Sequence, residues 1–189
     1  MERHVIDRQY VELQSFGYQG RLLDIGGGGE GIIGQLLGND IFAIDIRRSE
    51  LDEAPPGPIK IVMDARCLAF PDQTFEVVTA FYSLMYMDRG DHEQVFSQIA
   101  RVLKPGGIFL VWDNIIPPYR PGDKEIYMIP LEIKIDDRTI KTGYGTRWEN
   151  RRQNCEYFVD LAEMAGLQYL ASSSSQQNFY IRFWRPMEG

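Results

Sequence analysis

The stretch Leu22 to Gly34, LLDIGGGGEGIIG, decides the fold, because an apolar run stops at a cluster of glycines and restarts at helical spacing. Leu22, Leu23 and Ile25 suit a buried parallel strand, while Ile32, Ile33, Leu36 and Leu37 share one face of a helix. The glycines between them permit positive φ and close approach of a ligand to the backbone, next to the unpaired N–H groups of a helix start. Strand, glycine turn and helix in this order predict an α/β domain with a parallel sheet.

Gly26, Gly28 and Gly31 satisfy the Gly-x-Gly-x-x-Gly spacing of dinucleotide sites, although a tight βα connection with glycines used only for packing has the same appearance. Asp45 stands about 20 residues beyond the turn, at the end of the next apolar run, Ile41 to Ile46. A carboxylate there accepts hydrogen bonds from both hydroxyls of a ribose. Up to this point NAD(H) and S-adenosylmethionine fit equally.

A chain of 189 residues suffices for one α/β domain and is short for a cofactor domain plus a separate substrate domain, so a single domain over 1–189 is expected. Asp and Glu number 27 against 20 Lys and Arg, and the net charge of -7 disfavours nucleic acid and anionic lipid as partners. Cys67 and Cys155 have no metal or redox spacing, and no stretch is apolar for long enough to span a bilayer. The amino end, MERHVIDRQY, lacks the apolar core of a signal peptide, and a reduced, cytoplasmic protein is the expectation. With only His4 and His92, a His-rich metal site is excluded and no metal is expected.

Residues 3–16 place Ile6, Tyr10 and Leu13 at helical spacing, which predicts an amphipathic helix stopped by Gly17 and Gly20. Tyr10 or Tyr18 then either packs in the core or contacts a ligand. A polar connection, Arg47 to Pro58, leads to a third strand, Ile59 to Met63, which ends in Asp64. Asp24, Asp45 and Asp64 thus fall at the carboxyl ends of three successive strands, the edge where open α/β sheets bind ligands.

Phe75 to Tyr82 reads as the fourth strand, and Leu84, Met85, Tyr86 and Met87 after it either wall a pocket or bury a turn. His92 opens a helix with an apolar face of Val95, Phe96, Ile99, Val102 and Leu103, and reads as an exposed bystander rather than a base. Lys104-Pro105-Gly106-Gly107 stops that helix before a fifth strand, Ile108 to Trp112. Glu125 to Trp148 reads as a hairpin turning at Asp136-Asp137-Arg138, an added element above the sheet. A helix over Glu149 to Ala165 follows, then strands Leu167 to Ala171 and Asn178 to Trp184 joined through a flexible SSSSQQ loop.

LLDIGGGGEG, Asp45 ending IFAIDI, Asp64-Ala65, FEVVTAFYSLMYM and RVLKPGGIFLVWDN together resemble the class I S-adenosylmethionine-dependent methyltransferases, over roughly the first 113 residues and the last two strands. Asp24, two residues before the first glycine, is typical of that family, where dehydrogenases usually carry an apolar residue. The resemblance implies a doubly wound, mostly parallel seven-stranded sheet of Rossmann-like type with the last strand antiparallel and the hairpin as an insertion. It implies S-adenosylmethionine as cofactor. Gly26 and Gly28 would approach the methionine moiety, Asp45, with Ile46 beside it, would hold the ribose, Asp64 and Ala65 would meet the adenine, and Phe81 and Tyr82 would lie beside the sulfonium. One departure stands out: Glu30 occupies the third glycine position of the usual Asp-x-Gly-x-Gly-x-Gly, and Gly31 comes one step later.

The family's reaction is direct displacement of a methyl group from sulfur, which needs alignment in a dry site more than a base. Tyr82, Tyr86, Asp113 and Tyr144 are available to take a proton, but no motif singles one out, and no catalytic residue is assigned. Acceptor choice is expected in the 115–148 insertion, where Tyr144, Arg147 and Trp148, with Tyr86, would suit a planar or carboxylated small molecule. The same residues equally suit gluing the hairpin to the sheet. Two rival classes remain at this point: an NAD(P)-linked oxidoreductase, and a non-catalytic binding protein that keeps the fold.

Overall fold

The computed structural model describes residues 1–187. The first half contains β1 (Arg3–Val5), β2 (Gln9–Leu13), β3 (Leu22–Ile25), α1 (Ile32–Leu37), β4 (Ile41–Asp45), α2 (Arg48–Glu53), β5 (Ile59–Val62) and β6 (Phe75–Phe81). The second half contains α3 (His92–Val102), β7 (Leu103–Asn114), β8 (Ile126–Ile135), β9 (Arg138–Arg147), α4 (Cys155–Met164), β10 (Gln168–Ser175) and β11 (Asn178–Trp184). Seven strands form one sheet in the order β10-β11-β7-β6-β3-β4-β5. Strands β5, β4, β3, β6 and β7 run parallel and β11 is antiparallel to β7, as the resemblance implies.

Successive side chains of a strand face opposite sides, and β3 uses both. Leu23 and Ile25 join one core with Val95, Phe96 and Ile99 of α3 and Phe158, Leu161 and Ala162 of α4. Leu22 joins the other with Ile32, Ile33 and Leu36 of α1. Most of this second layer is a four-stranded sheet rather than a helix. Tyr127, Ile129, Leu131, Ile133 and Ile135 of β8 alternate inward and are all buried, each contributing roughly 1.5–3 kcal/mol of burial. Strand β9 pairs with one edge of β8, from Ile126 opposite Arg147 to Ile135 opposite Arg138.

Strands β1 and β2 pair in parallel with the other edge of β8, and this overturns the helix expected over residues 3–16. Gln9 and Leu13 are buried with Val11 half-buried between them, a period of two that fits a strand. The edge of β8 offers backbone partners that an isolated helix would not need. Three smaller expectations also change. The connection after Asp45 holds the short helix α2, and β7 starts at Leu103, taking in the Lys-Pro-Gly-Gly element. The serine run is not a loop: Ser172 to Ser175 lie in β10, paired with β11, and only Gln176 and Gln177 turn.

Candidate active site

A cleft of about 980 Å³ opens at the carboxyl ends of β3, β4, β5 and β6, floored by the glycine turn. All nine residues that the resemblance assigns to a cofactor line it: Asp24, Gly26, Gly28, Asp45, Ile46, Asp64, Ala65, Phe81 and Tyr82. Gly26 has φ +73°, and a Cβ there would collide with the Ser83 side chain. At Gly28 a Cβ would stand 2.5 Å from Glu50 Cβ and 2.8 Å from Asp45 Oδ2, so only a bare backbone lets the Asp45 carboxylate sit against the turn. Gly26 N and Gly27 N donate to the Ile44 carbonyl at 2.8 and 3.0 Å, and Gly29 N to the Glu50 carbonyl at 2.8 Å. The Gly28 N–H has no protein partner among the described residues and remains available to a ligand.

The three strand-end acids are not equivalent. Asp24 is buried beneath the turn, where Thr79 Oγ1 donates to it at 2.8 Å. Burial pushes its carboxyl up to about 7, the Thr79 hydrogen bond opposes the shift, and the charge of Asp45 adds to it. Asp45 accepts the Arg47 N–H at 2.8 Å and keeps its other oxygen toward Gly28. Asp64 accepts the Arg66 N–H at 2.9 Å and pairs with its guanidinium at 2.6 Å, which holds its carboxyl below the usual range.

The side chains offered as proton acceptors separate sharply. Tyr82, with φ +48°, donates its hydroxyl to Asn178 Oδ1, turned away from the glycine turn. Asp113 is fully buried outside the cleft and accepts from Met85 N, Asn114 N and Gln153 Nε2 at 3.3, 2.8 and 2.7 Å, a structural anchor for the turn Leu84–Tyr86. Tyr86 and Tyr144 do line the cleft. Their hydroxyls are pushed up first by burial, and in both the Glu30 carboxylate adds to the shift.

Arg147 and Trp148 are not brought to the cleft. Trp148 is buried against His4, Tyr127 and Tyr119, and its indole N–H donates to the Pro117 carbonyl at 2.8 Å. Arg147 is exposed at the end of β9, opposite Ile126. Neither Tyr10, 57% exposed on β2, nor Tyr18 lines the cleft. His92 is 1% exposed rather than a surface bystander. Its Nε2 donates to the Leu84 carbonyl at 3.0 Å, its Nδ1 lies 3.1 Å from the Tyr157 hydroxyl, and burial lowers its pKa.

Two wall residues went unassigned in the sequence. Ser83 lines the cleft, is 7% exposed, and its Oγ has no hydrogen-bond partner. A buried hydroxyl without a partner is costly, and a ligand that met it would remove the cost. Glu30 accepts from Thr142 Oγ1 and from the Tyr144 hydroxyl, the latter at 3.1 Å, and so ties the glycine turn to β9. Its signal was the break in the glycine pattern.

Residues 23–111 match the family model described as a methyltransferase domain. A 27-O-demethylrifamycin SV methyltransferase from Amycolatopsis mediterranei is 36% identical over 114 residues, covering 54% of this chain and 41% of that enzyme. The chain spans less than half the length of the first curated relatives it matches. Among solved structures, an S-adenosylmethionine-dependent methyltransferase from Methanosarcina mazei superposes with a TM-score of 0.64 at 15% identity, covering 92% of this chain and 95% of that one. The [4+2]-cyclase SpnF superposes with a TM-score of 0.66 at 17% identity, covering 93% and 78%, so the fold alone does not fix the chemistry. The sequence match and the strand order coincide on the segment that builds the cleft: over residues 23–111 the chain is similar to a methyltransferase domain, and the sheet built around that segment shares its fold with the Methanosarcina mazei methyltransferase.

Proposed function

We propose that the cleft binds S-adenosylmethionine and that the protein transfers its methyl group to a small-molecule acceptor. The observation that carries this reading is the convergence of Asp24, Gly28, Asp45 and Asp64 with the Phe81 and Tyr82 rings on one cavity. Carboxylates and aromatic faces suit a cation joined to a nucleoside better than they suit a pyrophosphate. The match of residues 23–111 to a methyltransferase domain supports this reading over the NAD(P) alternative. When bound, the cofactor supplies a methyl group already activated on a sulfonium.

The chain's own residues then bind and orient. Asp45 accepts from the ribose hydroxyls with the oxygen that Arg47 leaves free, and Gly28 donates its N–H. Ile46 and Ala65 pack on the adenine beside Asp64. Phe81 and Tyr82 exclude water at the reacting end. Ser83 stands on the β6 side of the turn, opposite Asp45 and Asp64 in the order β6-β3-β4-β5, and there meets the amino-acid tail. Alignment of this kind supplies about 7–11 kcal/mol of the barrier reduction, and no base is assigned.

The domain organisation follows the same reading: one domain, with residues 115–148 inserted as the acceptor-side wall. Gly143, Tyr144 and Gly145 of β9 line the cleft. The acceptor is read as a small molecule because the rifamycin methyltransferase relative is named for one. Calorimetry with S-adenosylmethionine and S-adenosylhomocysteine tests the assignment, with micromolar binding expected and lost in Asp45→Ala. A silent titration with both compounds at millimolar concentration sinks it.

A further inference from the structure

We propose that the acceptor carries an ammonium group, held by the Glu30 carboxylate and the faces of Tyr82, Tyr86 and Tyr144. The inference rests on the methyl-transfer reading above and names the class of its second substrate.

Glu30 is the residue that breaks the family's glycine pattern, and its carboxylate faces the cleft between the turn and β9. Thr142 and Tyr144 each donate one hydrogen bond to it. A carboxylate has about four lone-pair sites, so two remain. No Lys, Arg or His among the described residues forms an ion pair with Glu30, and its negative charge is left for a ligand.

The aromatic side is equally specific. The Tyr144 ring lies 5.6 Å from Tyr82 and 6.5 Å from Tyr86, with interplanar angles of 41° and 79°. The three tyrosines line one corner of the cavity, with Tyr144 standing between Tyr82 and Tyr86. A cation over an aromatic face is attracted by the ring quadrupole, and a neighbouring carboxylate adds to that attraction.

The charge of the cleft points the same way. Eight carboxyl groups line it against two guanidinium groups. Both guanidiniums are already paired, Arg47 with Glu50 at 3.1 Å, and Arg66 with Asp64 at 2.6 Å and Asp91 at 3.1 Å. An anionic acceptor finds no free cation here. Arg147, the cation that made a carboxylated acceptor attractive from sequence, is not part of the lining.

The chemistry balances. The acceptor nitrogen first releases a proton to solvent at the open mouth. Its lone pair then forms the N–C bond as the C–S bond breaks, with the bonding pair left on sulfur. The methylated nitrogen is again a cation that Glu30 accommodates.

Binding is measured on protein saturated with S-adenosylhomocysteine, which fills the cofactor site without a charged sulfur. The probes are choline and 3,3-dimethyl-1-butanol, nearly identical in shape and different in charge, followed by ligand-observed NMR. Choline is expected to bind at least tenfold more tightly. Glu30→Gln should bring the two probes within about threefold while S-adenosylhomocysteine affinity stays within twofold. Tyr144→Phe, which keeps the ring, should retain most of the preference, and Tyr144→Leu should lose it. Equal binding of the two probes by the native protein overturns the inference, as does an unchanged choline preference in Glu30→Gln. If Glu30→Gln instead erases only a preference for S-adenosylmethionine over S-adenosylhomocysteine, the rings serve the sulfonium and the ammonium acceptor is refuted. Failure of S-adenosylhomocysteine to bind at all removes the proposed function itself, whereas cofactor binding without a choline preference removes only this inference.

Discussion

Replacing Asp24 by Asn tests the electrostatics of the cleft floor through stability alone. Asp24 is 3% exposed, and burial raises its carboxyl from an ordinary 3.8 to about 7. A carboxyl whose pKa is raised on folding stabilises the native state below the unfolded pKa, where both states are protonated. That contribution is lost as pH rises toward the folded value, because the unfolded chain releases its proton first. That rise in pKa corresponds to roughly 4 kcal/mol, spread between about pH 4 and pH 7. Asn keeps the shape and can still accept from Thr79, but it does not titrate. Its own fixed cost is the same at every pH, so the informative quantity is the stability of Asp24→Asn minus that of the native protein. Urea unfolding at pH 5 and pH 8 should show this difference moving in favour of the variant by about 2–3 kcal/mol as pH rises. Asp113, fully buried and likewise pushed up to about 7 by burial, keeps its own slope in both proteins and cancels. Parallel stability profiles for variant and native protein across that window would refute the buried, proton-holding Asp24.

The other predictions concern the walls of the same cleft. Ser83→Ala removes a hydroxyl with no partner and should raise the stability of the free protein by about 1 kcal/mol. The same variant should bind S-adenosylhomocysteine about five- to tenfold more weakly and leave methylthioadenosine, which lacks the amino-acid tail, unaffected in calorimetry. Gly28→Ala places a methyl group 2.5 Å from Glu50 Cβ and should abolish cofactor binding, with a stability loss of roughly 1–3 kcal/mol by thermal unfolding. Trp148→Ala should cost roughly 3–5 kcal/mol in urea unfolding and leave cofactor affinity unchanged, because the ring fills the junction of His4, Tyr119 and Tyr127 rather than the cleft.

What the sequence determined by itself is the half of the protein built from local signals. The alternation of apolar runs with a glycine turn, a strand-end acid and a helix stop is written within a few residues each time, and it placed Gly26, Gly28, Asp45 and Asp64 on one edge of a parallel sheet. The fate of residues 3–16 was not local. Their apolar spacing satisfies a helix, yet they pair with β8 more than a hundred residues away, where Lys134 meets Glu12 at 2.9 Å. Backbone groups on an open sheet edge select a strand from a sequence that allows both. Arg147 and Trp148 were misplaced for a related reason: Arg147 stands an odd number of positions from Tyr144 on β9 and so faces the other side of the strand, while Trp148 lies past the end of β9, packed against His4, Tyr119 and Tyr127. Glu30 shows the limit most clearly. Its departure from the glycine pattern was visible in the chain, but its partners Thr142 and Tyr144 lie more than a hundred residues further on, and only tertiary packing brings the three together.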